Sequence, residues 1–251
     1  MSPMNIRNQD NWVKNKKLIL KHNQKIKTYE STIAFYNFLK SNRVLSKKTM
    51  HVVDVGTGLG SHLGYFSEKN SQVKFTGIDY SSRLIKEAKK INKKDNINFF
   101  KVNILKKNTN KFIANCDGIT CIQTFCCFKN AKDPIKFMSN LKPKWIAINS
   151  LFYNGPLDIQ IHIKDYEDLP SGEGSDGDFN IFSLKEISKV FKKYGYRLDK
   201  ATQFYPKVKL PKIKNGRRGS YTMRTELNKN TTFSGPVHLP WHFILAKKIR
   251  D

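Results

Sequence analysis

Two carboxylates and a glycine-rich turn are the residues of this chain best placed to do chemistry. The run His51-Val-Val-Asp-Val-Gly-Thr-Gly-Leu-Gly-Ser-His62 passes from apolar residues through Asp54 into glycines at 56, 58 and 60. An apolar run ending in such a turn reads as a buried strand, a tight bend and a helix behind it. Glycines there let the backbone take positive φ and let a ligand approach the main chain closely. In open α/β sheets that place, at the carboxyl end of a strand, is where ligands bind. A pyrophosphate site would want G-x-G-x-x-G against the helix N-terminus. The spacing here is D-x-G-x-G-x-G, with Ser61 where the third glycine of that pattern would fall and Gly64 already inside the helix. Asp79 closes a second apolar run, Val73 to Asp79, about twenty residues beyond the turn, where a carboxylate can accept hydrogen bonds from both hydroxyls of a ribose. Tyr80 beside it offers a flat face to a base.

Alternating elements would position these groups. Strands are expected at 50–55, 73–79, 97–102, 116–122 and 145–151. Helices are expected at about 60–68, from Ser81 or Ser82 to Lys90, and near 131–141. Strands alternating with helices imply an α/β fold with a Rossmann-like, doubly wound and mostly parallel sheet. Residues 1–47 read as a basic N-terminal helical cap, with Leu18, Ile19, Ile26, Tyr29, Ile33, Tyr36 and Leu39 at roughly helical spacing and a second helix starting at Ser31 or Thr32. Beyond 151 the pattern changes. Leu157–Ile163 alternates as a half-exposed strand, and residues 171–178 read as a glycine-rich acidic loop. Ser183 to Glu186 is a capping box opening a helix that runs to Tyr194 and ends at Gly195. Residues 197–208 are extended. Residues 220–226 and 231–233 form a C-terminal β-hairpin insertion, and 242–247 is an antiparallel last strand. The expected organisation is one domain over 1–251, with the cap at 1–47, a binding core at 48–151 and an acceptor-side half at 152–251.

The turn, the acid at 79 and the strand spacing together resemble the class I S-adenosylmethionine (SAM) methyltransferases over roughly residues 50–150. The resemblance implies SAM as cofactor and S-adenosylhomocysteine (SAH) as product. It implies cofactor contacts at Asp54, Gly56, Thr57, Gly58 and Gly60, and at the ribose acid Asp79 with Tyr80. Asn103 falls where many members carry an aspartate that bonds the adenine amine, and its carbonyl can accept that bond; Ile104 would pack on the ring. Asp117 and the run to Phe128 resemble the family's fourth motif, with Gln123 facing the methyl group. Cys126 and Cys127 replace a frequent Glu-His, so no catalytic role carries over there. The stretch from Gly219 to Phe243 is similar to the tail of a bacterial group of small-molecule methyltransferases linked to surface-polysaccharide or modified-sugar synthesis, which implies that the hairpin and the 152–180 segment cap an acceptor pocket.

Methyl transfer is an in-line displacement that rewards positioning, and it needs a base when the acceptor is a hydroxyl. Candidates for touching the acceptor are His162, Asp178, His238 and His242. Arg217 and Arg218, on a glycine-flanked turn, with Tyr221, are candidates for binding a phosphate or carboxylate.

The net charge is +26, from 46 basic and 20 acidic residues, but 38 of the basic residues are lysine and only 8 arginine, spread over nearly every element. Arginine would be favoured where bidentate phosphate contacts matter. The excess therefore points to a small anionic acceptor ahead of a nucleic acid. No apolar run reaches the roughly 20 residues that span a bilayer, and the N-terminus has no apolar signal core, so a cytoplasmic protein is expected. The four cysteines at 116, 121, 126 and 127 lack metal-type spacing, and reduced thiols with no metal are expected. The leading expectation is a SAM-dependent methyltransferase of a small anionic acceptor. Its rivals are an RNA methyltransferase, for which no N/D-P-P-Y motif follows strand four, and a SAM-binding regulator without catalysis.

Overall fold

The computed structural model describes residues 29–45, 49–106, 113, 115–166, 175–212 and 220–249. Helix α1 (Glu30–Ser41) leads into β1 (Met50–Val55), α2 (Ser61–Lys69), β2 (Val73–Asp79), α3 (Ser82–Ile91) and β3 (Ile97–Lys101). Then come β4 (Gly118–Ile122), a 3₁₀ turn (Phe125–Cys127), α4 (Lys132–Asn140) and β5 (Trp145–Tyr153). The second half holds β6 (His162–Asp165), β7 (Ser175–Asp178), β8 (Phe182–Ser183), α5 (Leu184–Lys193) and β9 (Tyr196–Gln203). It closes with β10 (Ser220–Arg224), β11 (Asn230–Ser234), β12 (Val237–Leu239) and β13 (Trp241–Lys248).

The main sheet has the order β3-β2-β1-β4-β5-β13-β9. Strands β1 to β5 pair parallel, and β13 runs antiparallel between β5 and β9, as expected of the last strand. The order reverses between β1 and β4, which makes that point the crevice for a ligand. Burial of β5 on both faces explains why it reads as an apolar run interrupted only by Asn149 and Ser150. Ile146, Ile148 and Phe152 pack with Phe137 and Met138 of α4 and Ile187 and Phe191 of α5. Trp145 and Ala147 face the other way, with Phe35 and Leu39 of α1, Leu63 and Phe66 of α2 and Ala88 of α3. Helices therefore cover both faces.

Helix α1 begins at Glu30, not at a serine or threonine cap. Tyr29 is its N-cap and makes no side-chain cap bond. The hydroxyls of Ser31 and Thr32 are spent on tertiary partners instead, as described below. Residues 1–28 of the expected cap, including Leu18, Ile19 and Ile26, lie outside the described residues. The capping box of α5 is half formed: Ser183 Oγ accepts from the Glu186 N–H at 3.3 Å, but the Ser183 N–H donates to Asp158 at 2.7 Å, leaving Glu186 no return bond to make.

Two local expectations are corrected. Of the expected strand 157–163, only His162 and Ile163 belong to β6, with an isolated bridge from Ile159 to Ile181. The expected acidic loop instead contains β7, because Ser175–Asp178 finds a partner in β6 in the antiparallel register His162↔Asp178. A long-range ladder overrides weak local propensity. The hairpin is present as β10 and β11 and is extended by β12 into a three-stranded sheet.

Candidate active site

The turn after β1 is built as the spacing requires. Gly56, Gly58 and Gly60 have φ of 73°, 56° and 73°. The N–H groups of Gly56 and Thr57 donate back to Ile78 O at 2.9 and 3.0 Å, which fastens the turn onto β2. A Cβ built at Gly60 would come within 2.5 Å of the Phe99 ring. At Gly58 it would meet nothing within 4 Å, so the main chain there faces open space.

Two acids floor this turn. Asp54 is 1% exposed, and Thr120 Oγ1 donates to its Oδ1 at 2.7 Å. Burial pushes its carboxyl up to about 7, opposed by the Thr120 and Thr57 hydroxyls and reinforced by the charge of Asp79. The Thr57 hydroxyl faces the carboxylate without closing a well-formed hydrogen bond, and it is buried. Asp79 is 7% exposed and accepts the Gly58 N–H on Oδ2 at 3.1 Å and the Ser81 N–H on Oδ1 at 2.9 Å. Burial raises its carboxyl, and these backbone donors hold it down. Ser81 also caps α3, accepting from the Leu84 N–H at 3.3 Å. Two neighbouring buried acids with no basic partner among the described residues, in a chain of net charge +26, make a floor for a cation.

Asn103 follows β3, and its Oδ1 accepts the Leu105 N–H at 3.0 Å, leaving one lone pair of that oxygen for a ligand. Ile104 packs on the core beside it, and Tyr80 is half-buried next to Asp79. Gln123, just past β4, takes φ 57°; its N–H donates to Asn149 O at 2.7 Å and its Nε2 to Ser31 Oγ at 3.3 Å. Thr124 Oγ1 donates to Gly56 O at 3.0 Å, tying the β4 turn to the glycine turn.

The first turn of α1 is fastened across this edge by three consecutive residues. Glu30 accepts the Lys207 and Val208 N–H groups at 2.7 and 3.0 Å. Ser31 meets Gln123, and Thr32 Oγ1 lies 2.8 Å from His62 Nδ1 in α2. The His62 imidazole is partly buried, and desolvation pushes its pKa down to about 4, so the ring is neutral at pH 7.

The acceptor-side candidates separate. His162 and Asp178 come together across the β6–β7 ribbon, Nδ1 to Oδ1 at 2.9 Å, and both keep solvent access. That ribbon leads into Phe179 and Asn180, where the Asn180 N–H donates to Cys126 O at 2.8 Å, so it sits against the 3₁₀ turn beside Gln123. His238 is held in the small sheet by Thr231 Oγ1 at 2.7 Å. His242 is 8% exposed, with Nδ1 2.9 Å from Pro240 O and its ring edge-on to Phe152, on the face covered by α4 and α5. Tyr221 is buried, stacks on Phe233 and donates to Gly235 O at 2.7 Å, so its hydroxyl is committed to the hairpin. Arg217 and Arg218 lie outside the described residues. Asp117 directly precedes β4, at the opposite end of the strand from Gln123, where it accepts the His51 N–H at 2.9 Å and pairs with Lys144 at 2.7 Å. Its resemblance to the fourth motif therefore marks a strand start. Thr120, Thr124, His62 and Asn149 were not singled out from sequence; a polar residue inside an otherwise apolar strand was the available signal for Thr120 and Asn149. None of the four cysteines, all among the described residues, is in a disulfide.

A family model described as "Methyltransferase domain" matches residues 46–198, more than half of the chain. The chain belongs to the methyltransferase-domain family. Solved structures agree on the fold. A chain of the complex between the Haloferax volcanii Trm112 methyltransferase activator and a methyltransferase superposes with TM-score 0.61 at 12% identity, covering 97% of each chain. A SAM-dependent methyltransferase from Methanosarcina mazei gives 0.56 at 14% identity, covering 84% of this chain and 98% of that one. Magnesium protoporphyrin IX methyltransferase from Synechocystis PCC 6803 with bound SAM gives 0.54 at 12% identity, covering 97% and 92%. No curated protein matches the sequence. This methyltransferase is a SAM-dependent enzyme with the class I fold. Among the described residues no helix is long and apolar enough to cross a membrane.

Proposed function

We propose that the enzyme methylates an oxygen or nitrogen of a small anionic acceptor, such as a phosphorylated or nucleotide-linked sugar of surface-polysaccharide synthesis. The reading is supported by the edge beside Gln123, where the first turn of α1 and the β6–β7 ribbon crowd the end of β4. Such an edge suits a compact acceptor, and the excess of positive charge favours an anionic one.

SAM supplies a methyl group on a sulfonium, open to displacement in line with the leaving sulfur. Asp54 and the orphan Thr57 hydroxyl fit the ammonium of the amino-acid end, Asp79 fits the ribose hydroxyls, and Asn103, Ile104 and Tyr80 fit the adenine. The open face of Gly58 admits the ligand to the main chain, and Gln123 borders the methyl. For a hydroxyl acceptor, His162 takes the proton while Asp178 holds its Nδ1.

A pH dependence follows from Asp54. Its folded pKa of about 7 lies above the unfolded value, so this group contributes stability that is present below about pH 4 and lost as pH rises through 7. A cation bound beside it reverses that preference. SAH affinity is therefore expected to rise about thirtyfold from pH 5.5 to pH 8, and Thr120→Val to move the midpoint upward. Calorimetry across that range checks it, and a flat profile would remove Asp54 from the amino-acid subsite.

The acceptor reading is tested by labelled methyl transfer from SAM into sugar nucleotides, sugar phosphates and total RNA. Label is expected in a sugar, with His162→Gln lowering kcat about a hundredfold and leaving SAH affinity unchanged. Incorporation only into RNA, lost at high salt, would overturn the small-acceptor reading.

A further inference from the structure

Asn149 lies in β5, where every residue from Trp145 to Phe152 is buried, and it is itself 0% exposed. Neither its Nδ2 nor its Oδ1 has a hydrogen-bond partner among the described residues. Buried amides are normally paired, because an unpaired one keeps its desolvation cost with nothing returned.

The direction of the side chain follows from register. Asn149 pairs with Ile122 on one side and Phe243 on the other. Paired residues share a face of the sheet, and Ile122 and Phe243 belong to the cluster beneath α1, where Phe35 stands edge-on to Phe243 at 5.3 Å. The amide is therefore on the α1 side. Its own carbonyl accepts the Gln123 N–H, and Gln123 reaches on to Ser31 in the first turn of α1. One pleat nearer the edge of the sheet stand Leu151 and its partner Trp241. The amide has apolar partners in register, Ile122 and Phe243, with Thr120 and Asp54 one pleat back on the same face, and it lies beside the residue that borders the methyl. A binding pocket of few, well-placed polar groups has this composition.

We propose that Asn149 is a positioning residue for the acceptor. Its amide, with donor and acceptor side by side, receives a neutral polar group of the acceptor, a hydroxyl or amide near the atom to be methylated, while the anionic end of the acceptor stays toward the basic exterior. This assignment rests on the small-acceptor reading above and names the part of that acceptor which enters first. A site built to bond such a group discriminates strongly against an analogue lacking it.

The test uses Asn149→Leu, close in size and without polar atoms, and Asn149→Ser, which keeps one hydroxyl. The probes are SAH and whichever sugar nucleotide or sugar phosphate takes label with the wild-type enzyme. In the leucine variant Tm is expected to hold or rise, because an unpaired amide has been removed. SAH affinity is expected to stay within about twofold, and kcat/KM for the sugar to fall at least about tenfold, mainly through KM. The serine variant should fall between leucine and wild type. An unchanged kcat/KM in both variants would overturn the assignment and mean that a bound water satisfies the amide. A lower Tm in both would make the amide structural, and a tenfold loss of SAH affinity would make it a cofactor contact. Label in no sugar of the panel overturns the small-acceptor reading and this assignment with it, whereas label in a sugar with unaltered variant kinetics overturns this assignment alone.

Discussion

Asp79→Ala is expected to weaken SAH binding by at least about a hundredfold, since two hydrogen bonds from ribose hydroxyls to a charged group contribute ~1.5–3 kcal/mol each. The effect has a second source in the protein. The same carboxylate accepts the N–H groups of Gly58 and Ser81, so alanine leaves two backbone donors without their partner and loosens the glycine turn from the start of α3. Asp79→Asn separates the two contributions, because it keeps the size and one acceptor oxygen but brings an amide donor; its affinity should lie between wild type and alanine. Calorimetry at pH 8, where Asp54 is ionised, reads the change cleanly. A dissociation constant for Asp79→Ala within about threefold of wild type would mean that no ribose sits at the end of β2.

Gly56→Ala is expected to be the most damaging single substitution at the turn for stability. A left-handed conformation costs an alanine ~1–2 kcal/mol, and φ at Gly56 is 73°. The added Cβ would also overlap the Thr124 side chain, which donates its own bond to Gly56 O. Overpacking of that kind costs ~1–3 kcal/mol more. A combined loss of about 2–5 kcal/mol would lower Tm by roughly 5–15 °C in a chain of this size. Thr124→Ala in the same background should recover the steric part and leave the backbone part, so about half of the lost Tm returns. Full recovery, or none, would show that one of the two terms had been misjudged. Gly58→Ala makes a useful contrast: it meets no atom of the protein, so its cost is backbone strain alone, and any additional loss of SAH affinity reports a clash with the ligand.

The core of the fold was legible because its strands are short apolar runs with turn signals on either side. Strands β1 and β2 fall at 50–55 and 73–79, where the sequence places them. The glycine turn and Asp79 were legible for a related reason: their roles depend on local spacing at strand ends, which a sequence displays directly. What was hidden depends on contacts between distant residues. No local pattern places His162 opposite Asp178, because that pairing needs the ladder between β6 and β7. The same ladder turns the glycine-rich acidic run at 175–178 into a strand. His242 was a candidate for touching the acceptor, yet β13 buries it against Phe152. Asp117 stands just before β4, near the start of the expected strand 116–122, but its partners there, His51 and Lys144, carry no local signal. Asn149 carried a readable signal, a polar residue inside an apolar strand, but its meaning depends on the missing partners that only the packed structure reveals.

The most direct measurement of where the cofactor lies is amide hydrogen exchange with and without saturating SAH. Slowed exchange is expected at residues 56–62 behind β1, at 79–84 behind β2 and at 123–126 behind β4, with the β10–β11 hairpin unchanged. Protection confined to other segments, or an exchange pattern that SAH leaves unaltered, would contradict the placement of SAM at the glycine turn.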